Sequence, residues 1–142
     1  MSSTTTAATQ ANGLSYNMIK NILTVSAAYS LHGTPILSTI EKEWSSKTTA
    51  EVHSSFNNVG FDFILKDPEK SLLDLRQTLE GQHWDGMIIG WCIRGMSVER
   101  TEIFEGVMRE VIDAAREQKN LKAVFCREPT DLVRATLRNF PV

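Results

Sequence analysis

Three side chains of the 142-residue chain combine reactive chemistry with a place in a predicted loop: His32, Cys92 and Arg94. A histidine titrates near neutral pH and can move a proton as acid or base. A cysteine becomes a nucleophile when a nearby cation favours its thiolate, and Arg94 follows Cys92 closely in the chain. An arginine stays charged and can hold a carboxylate or phosphate through two parallel hydrogen bonds. Around these three stand groups suited to binding: Tyr29, Ser30 and Thr34 beside His32, Trp91 beside Cys92, and, further along, Asp67, Arg127 and Glu128. Each also has a plain structural use. A loop histidine can cap backbone groups, Cys92 can fill a small buried space, Arg94 can form a surface ion pair, and Asp67 before Pro68 can cap a helix.

Those residues matter only if the chain places them together, and the apolar periodicity says how it does. Ile22 to Ala28 is a compact β-branched and small-residue run, followed by turn chemistry in Ser30-Leu31-His32-Gly33-Thr34-Pro35. Pro35 suits the first turn of a helix, whose face is Ile36, Leu37, Ile40 and Trp44 and which Ser45 to Thr49 interrupts. Asn57 to Gly60 resembles a helix stop, and Phe61 to Leu65 reads as a second strand. Asp67-Pro68 opens a helix that ends near Gly81. Met87 to Trp91 is a third strand and Val98 to Gln118 a long amphipathic helix, with Ile103, Phe104, Val107, Met108, Val111, Ile112 and Ala115 in one stripe. Ala123 to Cys126 is a fourth strand, and Thr130-Asp131 begins a last helix with Leu132, Val133, Leu137 and Phe140 inward.

Four β-α units in alternation require parallel strands joined by right-handed crossovers, because a hairpin cannot join a parallel pair. The expected fold class is α/β, a three-layer sandwich with a short parallel sheet of about four strands in the order 2-1-3-4 and helices on both faces. In that order the topological switch point lies between strands one and three. Its walls are the segments Tyr29 to Thr34 and Trp91 to Ser97, with Lys66 and Asp67 after strand two and Cys126, Arg127 and Glu128 after strand four near the rim.

Composition narrows the function classes. A formal charge of −2 with dispersed basic residues lacks the footprint of a nucleic-acid binder. No apolar run approaches a bilayer span. Residues 1–13 are Ser/Thr/Ala-rich without a basic or apolar region, and read as a flexible tail before one domain over 14–142. Cys92 and Cys126 are too few for a disulfide scaffold, so reduced thiols in the cytoplasm are expected. No metal-ligand spacing, Gly-x-Ser-x-Gly elbow or Walker loop occurs.

The run Ser30 to Pro35, together with Asp85-Gly86-Met87-Ile88-Ile89-Gly90 through Arg94 and Gly95, resembles the first and third units of the flavodoxin-like family. The resemblance implies an FMN whose phosphate would be wrapped by Ser30, Gly33 and Thr34 and whose ring would stack on Trp91 or Tyr29. His32 and Pro35 stand where that family carries hydroxyl residues. Read from its residues alone, the chain is expected to bind a small anionic or carbonyl-bearing metabolite, with Arg94 holding it and His32 moving a proton. No cofactor is then needed, as in an isomerase, lyase or cyclase. A third expectation is a non-catalytic module that self-associates; a homodimer fits all three.

Overall fold

The computed structural model describes residues 19–94 and 97–142. The tail expected over residues 1–13 and Gly95 of the strand-three loop lie outside the described residues. Among those described, four strands and six α-helices alternate: β1 (Lys20–Ser26), α1 (Ala28–His32), α2 (Ile36–Lys47), α3 (Ala50–His53), β2 (Phe56–Asp62), α4 (Pro68–Glu80), β3 (Gly86–Ile89), α5 (Val98–Glu117), β4 (Lys122–Phe125) and α6 (Leu132–Asn139). A 3-10 turn, Trp91–Ile93, joins β3 to the segment before α5.

All three strand pairs are parallel, and the sheet order is β2-β1-β3-β4. Because successive side chains of a strand point to opposite faces, the buried strands supply two cores at once. Leu23 and Val25 of β1 and Met87 and Ile89 of β3 pack with Leu75 and Leu79 of α4 and Ile103, Val107 and Val111 of α5. Ile22, Ile88 and Val124 pack on the other face with Ile36, Ile40 and Trp44 of α2 and Leu132, Val133 and Ala135 of α6. This is the three-layer α/β sandwich expected from the strict alternation of elements.

Several boundaries differ from the pattern reading. The predicted helix stop Asn57 to Gly60 is strand, and β2 begins at Phe56 rather than Phe61. The predicted turn after β1 is largely helical: Ala28 to His32 form α1, and Gly33 ends it in the left-handed conformation at φ 77°. That conformation costs a residue with a Cβ and suits glycine. The interruption after Trp44 is real, with Thr48 and Thr49 separating α2 from α3. Asp67 caps α4 as its position before Pro68 implied, its carboxylate accepting from the Lys70 N–H at 3.3 Å.

Helix α6 follows β4, yet packs beside α2 on the face opposite α5. The last helix therefore covers the second face of the sheet instead of leading to a fifth strand among the described residues. No helix among them is long and apolar enough to cross a membrane.

Candidate functional site

The strand register determines what lies at the switch point. Val25 pairs with Ile89, and Ile89 with Phe125, so the next position on each strand is Ser26, Gly90 and Cys126. The backbone bonds continue through that row: the Gly90 N–H donates to the Val25 carbonyl at 2.8 Å, and the Cys126 N–H to the Ile89 carbonyl at 3.4 Å. Ser26, Gly90 and Cys126 share the parity of Ile22, Ile88 and Val124, and so belong to the α2/α6 face of the sheet. They form the floor of a cleft of about 500 Å³ at the carboxyl ends of β1, β3 and β4.

The walls come from five elements. Ala28, Leu31 and His32 enter from α1, Ile36 and Thr39 from α2, Trp91 and Cys92 from the 3-10 turn, Arg100 from the first turn of α5, and Leu132 from the start of α6, with Pro129 of the connection before it. A cleft in this position is where open parallel sheets place their ligands, because the connections from neighbouring strands diverge there.

Close approach of strand ends shapes the floor. A Cβ built on Gly90 would stand 2.9 Å from the Val25 carbonyl oxygen and 3.5 Å from the Ser26 Cβ, so the strands meet here only because position 90 has no side chain. Ser26 is 4% exposed, and its hydroxyl oxygen accepts from the Ala28 N–H at 3.0 Å, which fixes the start of α1. The Cys126 thiol is 2% exposed. Burial, reinforced by the nearby Asp131 carboxylate, pushes its pKa up to about 12, so it stays protonated and is no nucleophile at neutral pH.

The residues singled out in the sequence separate into three groups. His32, Cys92 and Trp91 line the cleft. Arg94 does not. Its guanidinium donates to the Cys126 carbonyl at 2.6 Å and lies 5.6 Å from the Trp91 ring centre and 5.7 Å from that of Phe125. It thus ties the 3-10 turn to the end of β4. The others sit outside the lining with visible tasks or on the open surface. The Ser30 hydroxyl is bonded at both ends, donating to the Phe63 carbonyl at 3.2 Å and accepting from the Leu65 N–H at 3.1 Å, which joins α1 to the segment after β2. Tyr29 and Thr34 are exposed. Asp67 is the α4 cap. The Arg127 N–H donates to the Asp131 carboxylate at 2.8 Å, and Glu128 accepts from Thr130 and Arg134, both at 3.0 Å.

The cleft gains five polar or space-making residues that the sequence did not mark as a set: Ser26, Thr39, Gly90, Arg100 and Cys126. Three of them could have been found by extending the strand parity one residue past the last apolar position. Arg100 also carried a signal: three residues before Ile103 and four before Phe104, it falls on the apolar stripe of α5, a charge on the face turned to the sheet. Among the described residues no three His, Cys, Asp or Glu side chains come close enough to hold a metal ion.

The flavin implied by the flavodoxin-like resemblance does not fit the phosphate end of this site. The segment that would wrap a phosphate is the short helix α1, the Ser30 hydroxyl is already engaged, and Thr34 does not line the cleft. The fold and site define a small doubly-wound α/β protein with a ligand-sized cleft at its switch point. Compared with known protein families and with curated proteins, the sequence matches none.

Proposed function

We propose that the chain binds a small anionic or carbonyl-bearing metabolite in the switch-point cleft and acts on it without a cofactor, in the manner of an isomerase, lyase or cyclase. The observation that carries this reading is the charge of the lining. Arg100 supplies permanent positive charge, and no carboxylate lines the cleft among the described residues. In a chain with 17 acidic and 15 basic residues that is a local bias toward anions. Low-dielectric walls focus such a field on an approaching ligand. The volume of about 500 Å³ lies in the range that small ligands occupy.

Arg100 takes the anchoring role that the sequence offered to Arg94, because Arg100 lines the cleft and Arg94 does not. His32, at the cleft wall, keeps the role of moving a proton, and Cys92 offers a thiol to a bound carbonyl group. Calorimetric titration with acetate, short 2-oxo acids and inorganic phosphate tests the binding half. The wild-type chain should bind at least one of these, and Arg100→Gln should weaken it about tenfold, the worth of one charged hydrogen bond. Unchanged affinity in Arg100→Gln would contradict the assignment. The catalytic half is read from exchange of the ligand's α-protons in D2O, which His32→Ala should abolish without changing affinity.

Trp91 in the cleft wall is the one feature that favours a stacked flavin, in the flavodoxin-like manner. The visible spectrum of the purified protein separates the two readings, because bound flavin is yellow.

A further inference from the structure

The floor of the cleft differs in kind from its charged rim. Its row is a hydroxyl, a glycine and a thiol, Ser26, Gly90 and Cys126, on three adjacent strands. The Ser26 oxygen accepts one bond, from Ala28, and the hydroxyl proton has no acceptor among the described residues although the side chain is buried. A buried donor left unpaired is costly, and natural proteins seldom keep one without a use. Thr39, across the cleft on α2, likewise has a hydroxyl with no partner among the described residues. Ser26 and Cys126 stand two strand spacings apart, roughly 10 Å between backbones, with Gly90, which has no side chain, between them. The rest of the wall is apolar: Ala28, Leu31, Ile36, Trp91, Pro129 and Leu132.

We propose that Ser26 is a specificity-determining residue whose hydroxyl donates to an uncharged oxygen of the ligand, so that the cleft selects amphipathic acids carrying a carbonyl beside the carboxylate. This rests on the reading of the cleft as an anion site, and assigns the two ends of the ligand to different parts of it. The carboxylate meets Arg100, the apolar body lies against Leu31, Ile36 and Leu132, and the carbonyl oxygen reaches the floor. A neutral acceptor is the match for a floor of uncharged donors. The Cys126 thiol belongs to that set, because burial keeps its proton in place at neutral pH. A bare inorganic anion has no apolar body to lie against Leu31, Ile36 and Leu132.

The test compares 4-methyl-2-oxopentanoate with 4-methylpentanoate, which differ only in the carbonyl, on the wild type and on Ser26→Ala. Taking the double difference cancels the unequal hydration of the two acids. The wild type should prefer the oxo acid, and Ser26→Ala should lose about five- to tenfold of that preference while binding 4-methylpentanoate as before. Equal weakening of both acids would overturn the proposal, since it would make Ser26 a structural support of α1. Inorganic phosphate binding as tightly as the oxo acid would overturn it too. A wild type that binds neither acid nor phosphate would fail the anion reading itself, a different outcome from failure of the Ser26 assignment alone. Melting temperatures control for folding, and Ser26→Cys, close in size but a weak donor, gives the same comparison if Ser26→Ala is unstable.

Discussion

At the scale of single residues, the separation between a group that looks reactive and one that faces the site is decided by hydrogen bonds that a sequence does not display. Arg94 has the charge and the loop position of an anion anchor, yet its guanidinium is spent on a backbone carbonyl and two aromatic faces. Arg94→Ala should therefore cost about 1.5–3 kcal/mol of stability, the range for a charged hydrogen bond. Urea unfolding measures this, and an unchanged midpoint would contradict the clasp. Arg100, six residues on in the first turn of α5, is the guanidinium that lines the cleft. Cys92 and Trp91 were legible because they end an apolar run, and strand ends are where sheet proteins expose polar chemistry. Ser30 was read as a candidate ligand group from its neighbours, whereas its bonds to Phe63 and Leu65 are long-range and invisible in a local pattern. Gly90 belongs at this scale as well. Gly90→Ala would press a methyl group toward the Val25 carbonyl, an overpacking expected to cost about 1–3 kcal/mol and to narrow the floor.

Among the elements, the strands and long helices were the most legible and the connections least. The stripe on α5 covers its sheet as its period implied, except that Ile112, at the lateral edge of the stripe, is 54% exposed. β2 was misread because Asn57, Asn58 and Gly60 disfavour strand locally. Tertiary contacts override that preference: Asn57 donates to the Asn21 side chain at 3.0 Å, and a Cβ on Gly60 would stand 2.8 Å from Ile36 Cγ2, so α2 packs directly on the strand. The segment between β4 and α6 is ordered by one carboxylate. Asp131, 3% exposed, accepts from the Arg127 N–H and the Arg138 guanidinium. Burial alone would raise its pKa, but the Arg127 N–H, then Arg138 and Arg134, outweigh it and hold the carboxyl below its ordinary 3.8. A pKa lowered by folding gives stability that is present above the ordinary value and lost as pH falls through the folded one. The chain should lose stability on acidification below about pH 4, and Asp131→Asn should flatten that slope. Thermal melts across pH 2–6 on both proteins decide it; parallel curves would contradict the role given to Asp131.

The whole molecule is two cores on one sheet, and the strands are common to both. Leu75 on the α4/α5 side and Ile40 on the α2/α6 side never meet, yet both lean on β1 and β3. Leu75→Ala and Ile40→Ala should each cost about 2–5 kcal/mol, and each should move one shared cooperative transition. Divergent transitions by fluorescence and circular dichroism would show the faces unfolding apart. The order 2-1-3-4, legible from the alternation of elements and the handedness of crossovers, brings the ends of β1 and β3 together. What alternation could not convey is the side from which the site opens, because that follows from residue parity past the strand ends. The central claim, that the switch-point cleft is where this protein takes its ligand, is tested most directly by an amide NMR titration with 4-methyl-2-oxopentanoate. Saturable shifts should gather at Ser26, Ala28, His32, Gly90, Trp91, Cys92 and Arg100. Shifts concentrated instead around Arg76 and Glu110, in a groove between α4 and α5, or no saturable shifts at all, would contradict it.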